Sequence, residues 1–286
     1  MTDPTVFDRK AVLMQRTGDF VRAGYRHWTS GEVRPKRLRA LTKKFARLYG
    51  TDQTRHQRAH AKSNGEGCAV LLLYAPYSAP TAPDAAAHAP HTVRNTPHTV
   101  SDTASDTPHT SQLAPHTAPA APSAAAVRWI LLVTPGEHPA HQLEQLHDAT
   151  ETAGRITLTG YELVQLPRPG QEKPAWTWRM QDATYQGWRL RLITAARRRL
   201  PLLTSEVAQL ARTPGFAGCR AQSKKLLQLA AGEWRRRHGD APPLVLPRLP
   251  YLQRLPNGGA ALTLWLRRYT RQTSCVANTR GGCACH

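Results

Sequence analysis

The amino-acid sequence predicts an α+β fold, in which an antiparallel sheet has helical regions at its N-terminal and C-terminal flanks. Apolar segments of strand length are separated by longer segments whose apolar residues have helical spacing, and 286 residues suffice for one or two domains. The formal net charge of +20 is unevenly distributed. Residues 1–67 carry 15 basic and 6 acidic side chains, and residues 182–240 carry 12 and 4. The sequence therefore predicts a nearly neutral core between two basic flanks.

The first predicted region, residues 1–67, is basic and helical. Residues 8–28 are expected to form one helix. Residues 35–49 are expected to form a second, with apolar residues at steps of three and four and Gly50 as its C-terminal stop. Residues 51–67 are polar and predict a loop. The basic residues of the second helix and the loop are predicted to bind nucleic acid: Arg37, Arg39, Lys43, Lys44, Arg55 and Arg58.

Residues 68–199 are predicted to form the α+β core. Two apolar segments, 68–74 and 127–133, have the length of buried strands. Between them, residues 79–126 repeat Pro-His-Thr four times and contain few residues to bury, which predicts a disordered insertion. When the insertion is set aside, the two strands are close enough in the sequence to pair as a hairpin.

The remainder of the core predicts a helix at 139–149, a second hairpin from 155–166 and 175–180, and a helix at 182–199. The order β-α-β-β-α is most of a ferredoxin- or RRM-like layer, and the strand at 68–74 can supply the fourth strand by circular permutation. Such a layer has helices on one face and an open face on the other.

Residues 200–240 predict a basic, helix-turn-helix-like unit, in which a short helix, a turn at Thr213–Gly215 and a longer helix follow one another. The longer helix can lie in a DNA groove, contact phosphates without reading bases, or simply pack on the core. Residues 241–286 predict a Pro-rich segment and a flexible tail. The basic residues of the longer helix extend the predicted nucleic-acid-binding set: Arg220, Lys224, Lys225, Arg235, Arg236 and Arg237.

Two tryptophans, Trp176 and Trp178, alternate on one predicted strand, so both side chains point to the same face of the sheet. On an open face they would stack on bases, as aromatic residues of single-strand-binding proteins do. On a covered face they would belong to the core. We include the pair among the predicted nucleic-acid-binding residues.

Several classes of protein are excluded. The longest apolar runs are far shorter than the ~20 residues of a membrane span, and the N-terminus lacks the pattern of a secretory signal. We therefore expect a cytoplasmic protein with no membrane partner. Five irregularly spaced cysteines predict neither a disulfide framework nor a zinc site, and no Walker A, GxSxG or GxGxxG motif is present. We predict no catalytic residue, metal or cofactor.

Three segments carry a resemblance to a known family: GYELVQLPRPG at Gly160–Gly170, PAWTWRM at Pro174–Met180, and TPGFAGCRAQ at Thr213–Gln222. Over about residues 155–234 the chain resembles a poorly characterised family of accessory proteins encoded on plasmids and integrative elements of high-GC proteobacteria. The resemblance implies a mobile-element setting and element-encoded protein partners, and it transfers no catalytic residue.

These observations predict a protein that binds nucleic acid, DNA in preference to RNA, and assists replication, transfer or maintenance of a mobile genetic element. One alternative is a metal-independent RNA endonuclease similar to the repeat-processing nucleases of CRISPR systems, for which His56 and His60 are candidate acid and base. Another is a basic scaffold whose flanks hold an acidic protein partner. The endonuclease alternative predicts cleavage of RNA without added metal. The scaffold alternative predicts stable binding of a protein partner.

Overall fold

The computed structural model describes residues 3–76, 126–168, 170–239 and 241–280, and within these ranges the strands form two sheets. In the central six-stranded sheet only the first strand and the third run parallel; its other neighbours are antiparallel. Its strands, in spatial order, are β5 (His147–Asp148), β2 (His27–Val33), β4 (Val127–Val133), β3 (Ala69–Tyr74), β1 (Thr5–Phe7) and β9 (Ala260–Ala261). The second, antiparallel sheet consists of β6 (Thr157–Leu158), β7 (Tyr161–Arg168) and β8 (Gln171–Met180).

Eight helices occur among the described residues, and none of them is long and apolar enough to cross a bilayer. They are α1 (Lys10–Arg22), α2 (Pro35–Tyr49), α3 (Arg55–Ser63), α4 (Pro139–Leu143), α5 (Asp182–Arg198), α6 (Leu200–Ala211), α7 (Ala217–His238) and α8 (Leu262–Arg280). The fold is therefore α+β, as predicted.

The central sheet is covered on both faces. Successive side chains of a strand point to opposite faces, so the odd-numbered and even-numbered residues of β3 and β4 enter different cores. The odd-numbered residues Ala69, Leu73, Leu131 and Val133 pack with α2. The even-numbered residues Val70, Leu72, Ile130 and Leu132 pack with α1, β8 and α5–α7. Helix α2 and helices α5–α7 therefore lie on opposite sides of the central sheet.

Helix α7 protects the outer edge of the small sheet. The side chain of Gln222 bonds both backbone groups of Met180, accepting from N at 2.6 Å and donating to O at 3.1 Å. The amide of Gly218 donates to Thr177 Oγ1 at 3.1 Å. A Cβ atom at Gly218 would lie 2.6 Å from the backbone oxygen of Trp178, so only glycine permits this approach. The backbone N–H and C=O of Met180, at the edge of the sheet, are satisfied in this way by Gln222.

Residues 241–259 form a strap that returns the chain from α7 to the central sheet. The amide of Leu252 donates to Gly215 O at 3.0 Å, and Arg16 of α1 donates through Nη2 to Leu255 O at 2.6 Å. The strap ends at β9, which pairs with β1. The prediction of a flexible tail is therefore wrong for residues 260–280, which form β9 and α8. Residues 281–286 lie outside the described residues.

The predicted ferredoxin- or RRM-like layer is not confirmed. Both predicted hairpins form, one from β3 and β4 and one from β7 and β8, but they belong to different sheets. The central sheet is mixed because β1 and β3 run parallel, and β1 and β2 lie in the region predicted to be only helical. The predicted loop at 51–67 contains α3, which a Thr54–Gln57 capping box begins. The predicted insertion, except Ala126, lies outside the described residues.

Candidate nucleic-acid interface

Helix α2 presents a basic outer face. Its inner residues Leu38, Phe45 and Tyr49 are buried against the odd-numbered face of the central sheet, and Gly50 ends the helix in the left-handed conformation at φ 58°. The cations of the helix are all exposed: Lys36, Arg37, Arg39, Lys43, Lys44 and Arg47. The sequence predicted this helix and its outer face correctly, because the spacing of the apolar residues determines both.

Helix α8 adds a second basic element beside α2. Its residues Leu262, Trp265 and Leu266 pack in one cluster with Leu38 of α2. The amide of Thr263, in the first turn, donates to Asp3 Oδ2 at 3.1 Å, which satisfies an otherwise unpaired donor. The cations of α8 whose side chains are described are exposed: Arg267, Arg268 and Arg271. Sequence analysis missed this element, although residues 262, 265, 266 and 269 have helical spacing.

We define the α2–α8 surface as these nine cations. Neither helix contains an Asp or Glu residue. None of the ion pairs between described residues includes any of the nine. The charge of this surface is therefore available to an external polyanion. Because guanidinium and ammonium groups that are already paired bind phosphate less strongly, an unpaired group of this size favours phosphate contact.

A cavity of about 250 Å³ opens between α2, α8 and the start of β1. Arg39 and Lys43 line it together with Asp3 and Asp52. Its volume is below the roughly 300–1,000 Å³ of typical small-molecule sites, and it contains charges of both signs. The α2–α8 surface is therefore better suited to an extended phosphate backbone than to a small molecule held in a pocket.

The two arginines predicted in the following loop lie on α3 and differ in their surroundings. Arg55 is exposed in the first turn, where it can meet solvent ions. Arg58 is half-buried and donates through Nη1 to Gln53 O. Its positive charge also acts on Tyr25, although burial of Tyr25 is the larger influence and raises the pKa of that phenol. Arg58 therefore stabilises the fold. Of these two arginines, only Arg55 remains a candidate for binding nucleic acid.

Trp176 and Trp178 do not form a base-stacking platform. Trp178 is 1% exposed, and its Nε1 donates to Met14 O of α1 at 2.8 Å. Trp176 is 8% exposed, and its backbone oxygen accepts from Arg22 Nη2 at 3.2 Å. The two side chains do share a face, as predicted, but α1 covers that face. The predicted stacking role is therefore replaced by a structural one.

The helix-turn-helix-like unit does not present α7 to a DNA groove. Recognition helices of that class contact bases with their N-terminal residues. Here the first turns of α7 are buried against β8 through Gly218 and Cys219, and Cys219 is fully buried. Arg220 is half-buried and stacks its guanidinium 3.3 Å from the ring centroid of Tyr251 in the strap. Lys224 and Lys225 are exposed further along the helix.

The structure joins the three arginines at the end of α7 to three that sequence analysis had not included. The ends of α5 and α7 meet where His238 Nε2 donates to Ala196 O at 3.0 Å, and Glu233 pairs with an arginine of each helix. We define the six-arginine cluster as Arg197, Arg198, Arg199, Arg235, Arg236 and Arg237, which are all exposed. The predicted cations of α2 and those at the end of α7 therefore lie on opposite sides of the central sheet.

A group of histidines lies near the C-terminal end of α2. The hydroxyl of Tyr49 donates to Glu144 Oε1 at 2.6 Å, and burial together with this bond raises the pKa of Tyr49. His138 donates through Nε2 to Tyr49 O at 3.2 Å, and burial lowers its pKa. Both ring nitrogens of His138 are thereby engaged, since Nδ1 accepts from the amide of Ala140. His138 therefore has a structural role.

His27 and His141 form a histidine pair in which His141 is more exposed to solvent than His138. The ring centroids of His27 and His141 are 4.9 Å apart, and His141 is exposed, with Nε2 bonded to Thr134 O at 3.0 Å. His56 and His60 are also exposed, on α3. Among the described residues no three His, Cys, Asp or Glu side chains are arranged to hold a metal ion.

Comparison of the chain with protein-family models, with curated proteins and with solved structures gives no match.

Proposed function

We propose that the protein binds nucleic acid, DNA in preference to RNA, through contacts between the phosphate backbone and the α2–α8 surface. The observation that carries this proposal is a group of nine exposed cations on two adjacent helices that contain no acidic residue. Contacts of this kind supply most of the sequence-independent affinity for DNA. The expected ligand is therefore recognised by charge, with little reading of base sequence.

The composition of the same surface favours phosphates over an acidic protein. Protein interfaces have an apolar centre enriched in aromatic residues. Among the described side chains of α2 and α8, one large apolar side chain is substantially exposed, that of Leu264 at 44%. This surface therefore lacks the apolar centre that a scaffold would use to hold a partner.

The choice of DNA rests on the resemblance of residues 155–234 to proteins encoded by mobile elements. That resemblance favours a role in replication, transfer or maintenance of such an element. Element-encoded proteins are the protein partners to expect in that setting.

Charge removal at the α2–α8 surface tests the proposal. The variant R37Q/K43Q/K44Q/R267Q removes four cations from it. The control R26Q/R168Q/K173Q/R248Q removes four exposed cations that lie outside both basic surfaces. Fluorescence anisotropy with a duplex DNA, a single-stranded DNA and an RNA hairpin, at several salt concentrations, measures affinity and the number of phosphates neutralised.

We expect the α2–α8 variant to bind duplex DNA at least tenfold more weakly than the control, with a less steep dependence of affinity on salt. An equal loss of DNA affinity in both variants would show that the net charge of the protein, and not this surface, determines the affinity. Unchanged affinity of the α2–α8 variant would remove this surface from the proposal. Tighter binding to the RNA hairpin than to duplex DNA would overturn the choice of ligand.

The His27–His141 pair favours a second candidate function, metal-independent RNA cleavage. His27 points to the same face of the sheet as Val133, the face on which α2 packs. A neutral imidazole would remove the proton of a ribose 2′-hydroxyl as its oxygen attacks the adjacent phosphorus. An imidazolium would give a proton to the leaving 5′-oxygen, so that a 2′,3′-cyclic phosphate and a 5′-hydroxyl result.

Incubation of an RNA hairpin with the protein in the presence of a metal chelator tests this candidate. Discrete products with cyclic phosphate ends, lost in both H27A and H141A, would support it. Intact RNA, or products that persist in both variants, would exclude this pair as the acid and base.

A further inference from the structure

The six-arginine cluster is a product of the tertiary fold. Its two arginine runs end α5 and α7, and 35 residues separate Arg199 from Arg235 in the sequence. The cluster surrounds one carboxylate, Glu233, which lies 3.8 Å from Arg197 Nε and also pairs with Arg236. No other ion pair between described residues involves the cluster, so Arg198, Arg199, Arg235 and Arg237 lack a charged partner among them.

The helix ends account for only part of this charge. The C-terminus of a helix carries the equivalent of about half a negative charge, so the ends of α5 and α7 together supply about one. Glu233 supplies one more. Six guanidinium groups exceed these by about four positive charges, and all six side chains are exposed. Stabilisation of the two helix ends therefore does not explain the size of the cluster.

The cluster is electrostatically separate from the α2–α8 surface. Helix α2 packs on the odd-numbered face of the central sheet, and α5 and α7 pack in the core on the even-numbered face. Helices α5 and α7 reach the central sheet through β8 and α1, and packed layers are about 10 Å apart, so at least two layer spacings, or about 20 Å, separate the surfaces. Charges in solution are screened over about 8 Å at physiological ionic strength. Each surface therefore attracts phosphates independently of the other.

We propose that the six-arginine cluster is a second DNA-backbone site and that the protein bridges two DNA segments, one on each side of the central sheet. This inference rests on the proposed function of the α2–α8 surface. A straight duplex against α2 does not also contact the cluster, because the central sheet, α1 and β8 lie between α2 and the helices that carry the cluster. Arginine suits the second site because its planar guanidinium donates two parallel hydrogen bonds to one phosphate.

A two-duplex capture assay tests the bridge. A biotinylated duplex is immobilised on beads, the full-length protein is added, and retention of a second, fluorescent duplex is measured. The cluster variant R198Q/R199Q/R235Q/R237Q leaves Arg197, Arg236 and Glu233 in place, so the contacts between the ends of α5 and α7 are kept. The α2–α8 variant and its four-residue control, described above, complete the set, and thermal melting confirms that each variant is folded.

We expect the wild-type protein and the control to retain the fluorescent duplex. The cluster variant should lose at least fivefold in retention, and its affinity for a single duplex by anisotropy should fall less than that of the α2–α8 variant. The α2–α8 variant should lose both retention and single-duplex affinity. This pattern requires two DNA sites on one molecule, of which the α2–α8 surface contributes more to single-duplex affinity.

The failures of the two proposals are distinguishable. If wild-type protein binds one duplex but retains no second duplex, or if the cluster variant still bridges, the inference is wrong and the α2–α8 proposal stands. Bridging in the cluster variant would then indicate two protein copies that each use the α2–α8 surface. If wild-type protein binds no duplex at all, the proposed function itself is wrong.

Discussion

Cys219 illustrates how burial of one side chain links stability to pH. It is fully buried, its Sγ lies 3.2 Å from Trp178 O, and burial raises the pKa of its thiol from 9.0 to about 12, with Lys10 acting in the opposite direction. The folded state therefore holds the thiol proton more tightly than the unfolded state. The resulting stabilisation is complete below about pH 9 and is lost as the pH rises from about 9 to 12.

We expect replacement of Cys219 by alanine to remove this alkaline loss. Between pH 8 and pH 10.5 the free energy of unfolding of the wild type should fall by about 2 kcal/mol more than that of the variant. Urea unfolding of both proteins at the two pH values measures the difference, and the comparison cancels the titration of shared groups that do not interact with Cys219. Parallel changes in the two proteins would show that the thiol does not titrate as its burial requires.

The two tryptophans show which structural properties local sequence predicts and which depend on tertiary packing. Alternation along a strand correctly places Trp176 and Trp178 on one face, because that depends only on local geometry. Whether α1 or solvent meets that face depends on residues more than 150 positions away, such as Met14. Arg197–Arg199 are the last residues of the helix predicted at 182–199, and only tertiary packing places them beside Arg235–Arg237.

At the scale of the element, α7 contains two glycines with opposite requirements. A Cβ at Gly218 would lie 2.6 Å from a backbone oxygen of β8, whereas nothing lies within 4 Å of a Cβ at Gly232. We expect Gly218→Ala to destabilise the protein by about 1–3 kcal/mol through overpacking. Gly232→Ala should stabilise it by about 0.5–1 kcal/mol, because alanine is the better helix former. Urea unfolding of both variants measures the two effects.

Because the two substitutions are the same and lie on one helix, each serves as the control for the other. A gain of stability in both variants would mean that α7 does not approach β8 as closely as the structure shows. The sequence predicted α2, α5 and both hairpins because apolar spacing and turn residues are local signals. It did not predict that the hairpins join different sheets, since that choice depends on which side chains meet across the core.

At the scale of the whole molecule, the pairing of β3 with β4 brings together the residues that flank the predicted insertion. Tyr74 pairs with Arg128, although 53 residues separate them. Deletion of residues 79–126 would leave five residues between this pair, which is a usual length for a hairpin loop. Because the shorter loop loses less entropy on closure, we expect unchanged stability or a gain of up to about 2 kcal/mol.

Thermal melting followed by circular dichroism checks this expectation. A single cooperative transition at or above the wild-type temperature is expected. A broad transition or loss of folding would show that the insertion contributes to the core. The wild-type protein under the same conditions is the reference.

The pairing of β1 with β9 has a consequence for how the protein is made. Thr5 pairs with Ala261, 256 positions further along the chain, and β9 is the outermost strand on that side of the central sheet. At the roughly 5–20 residues per second of translation, between about 13 and 50 s pass after β1 is synthesised before its partner exists. During that interval the nascent chain exposes an unpaired strand edge, and pairing between chains on neighbouring ribosomes competes with completion of the sheet.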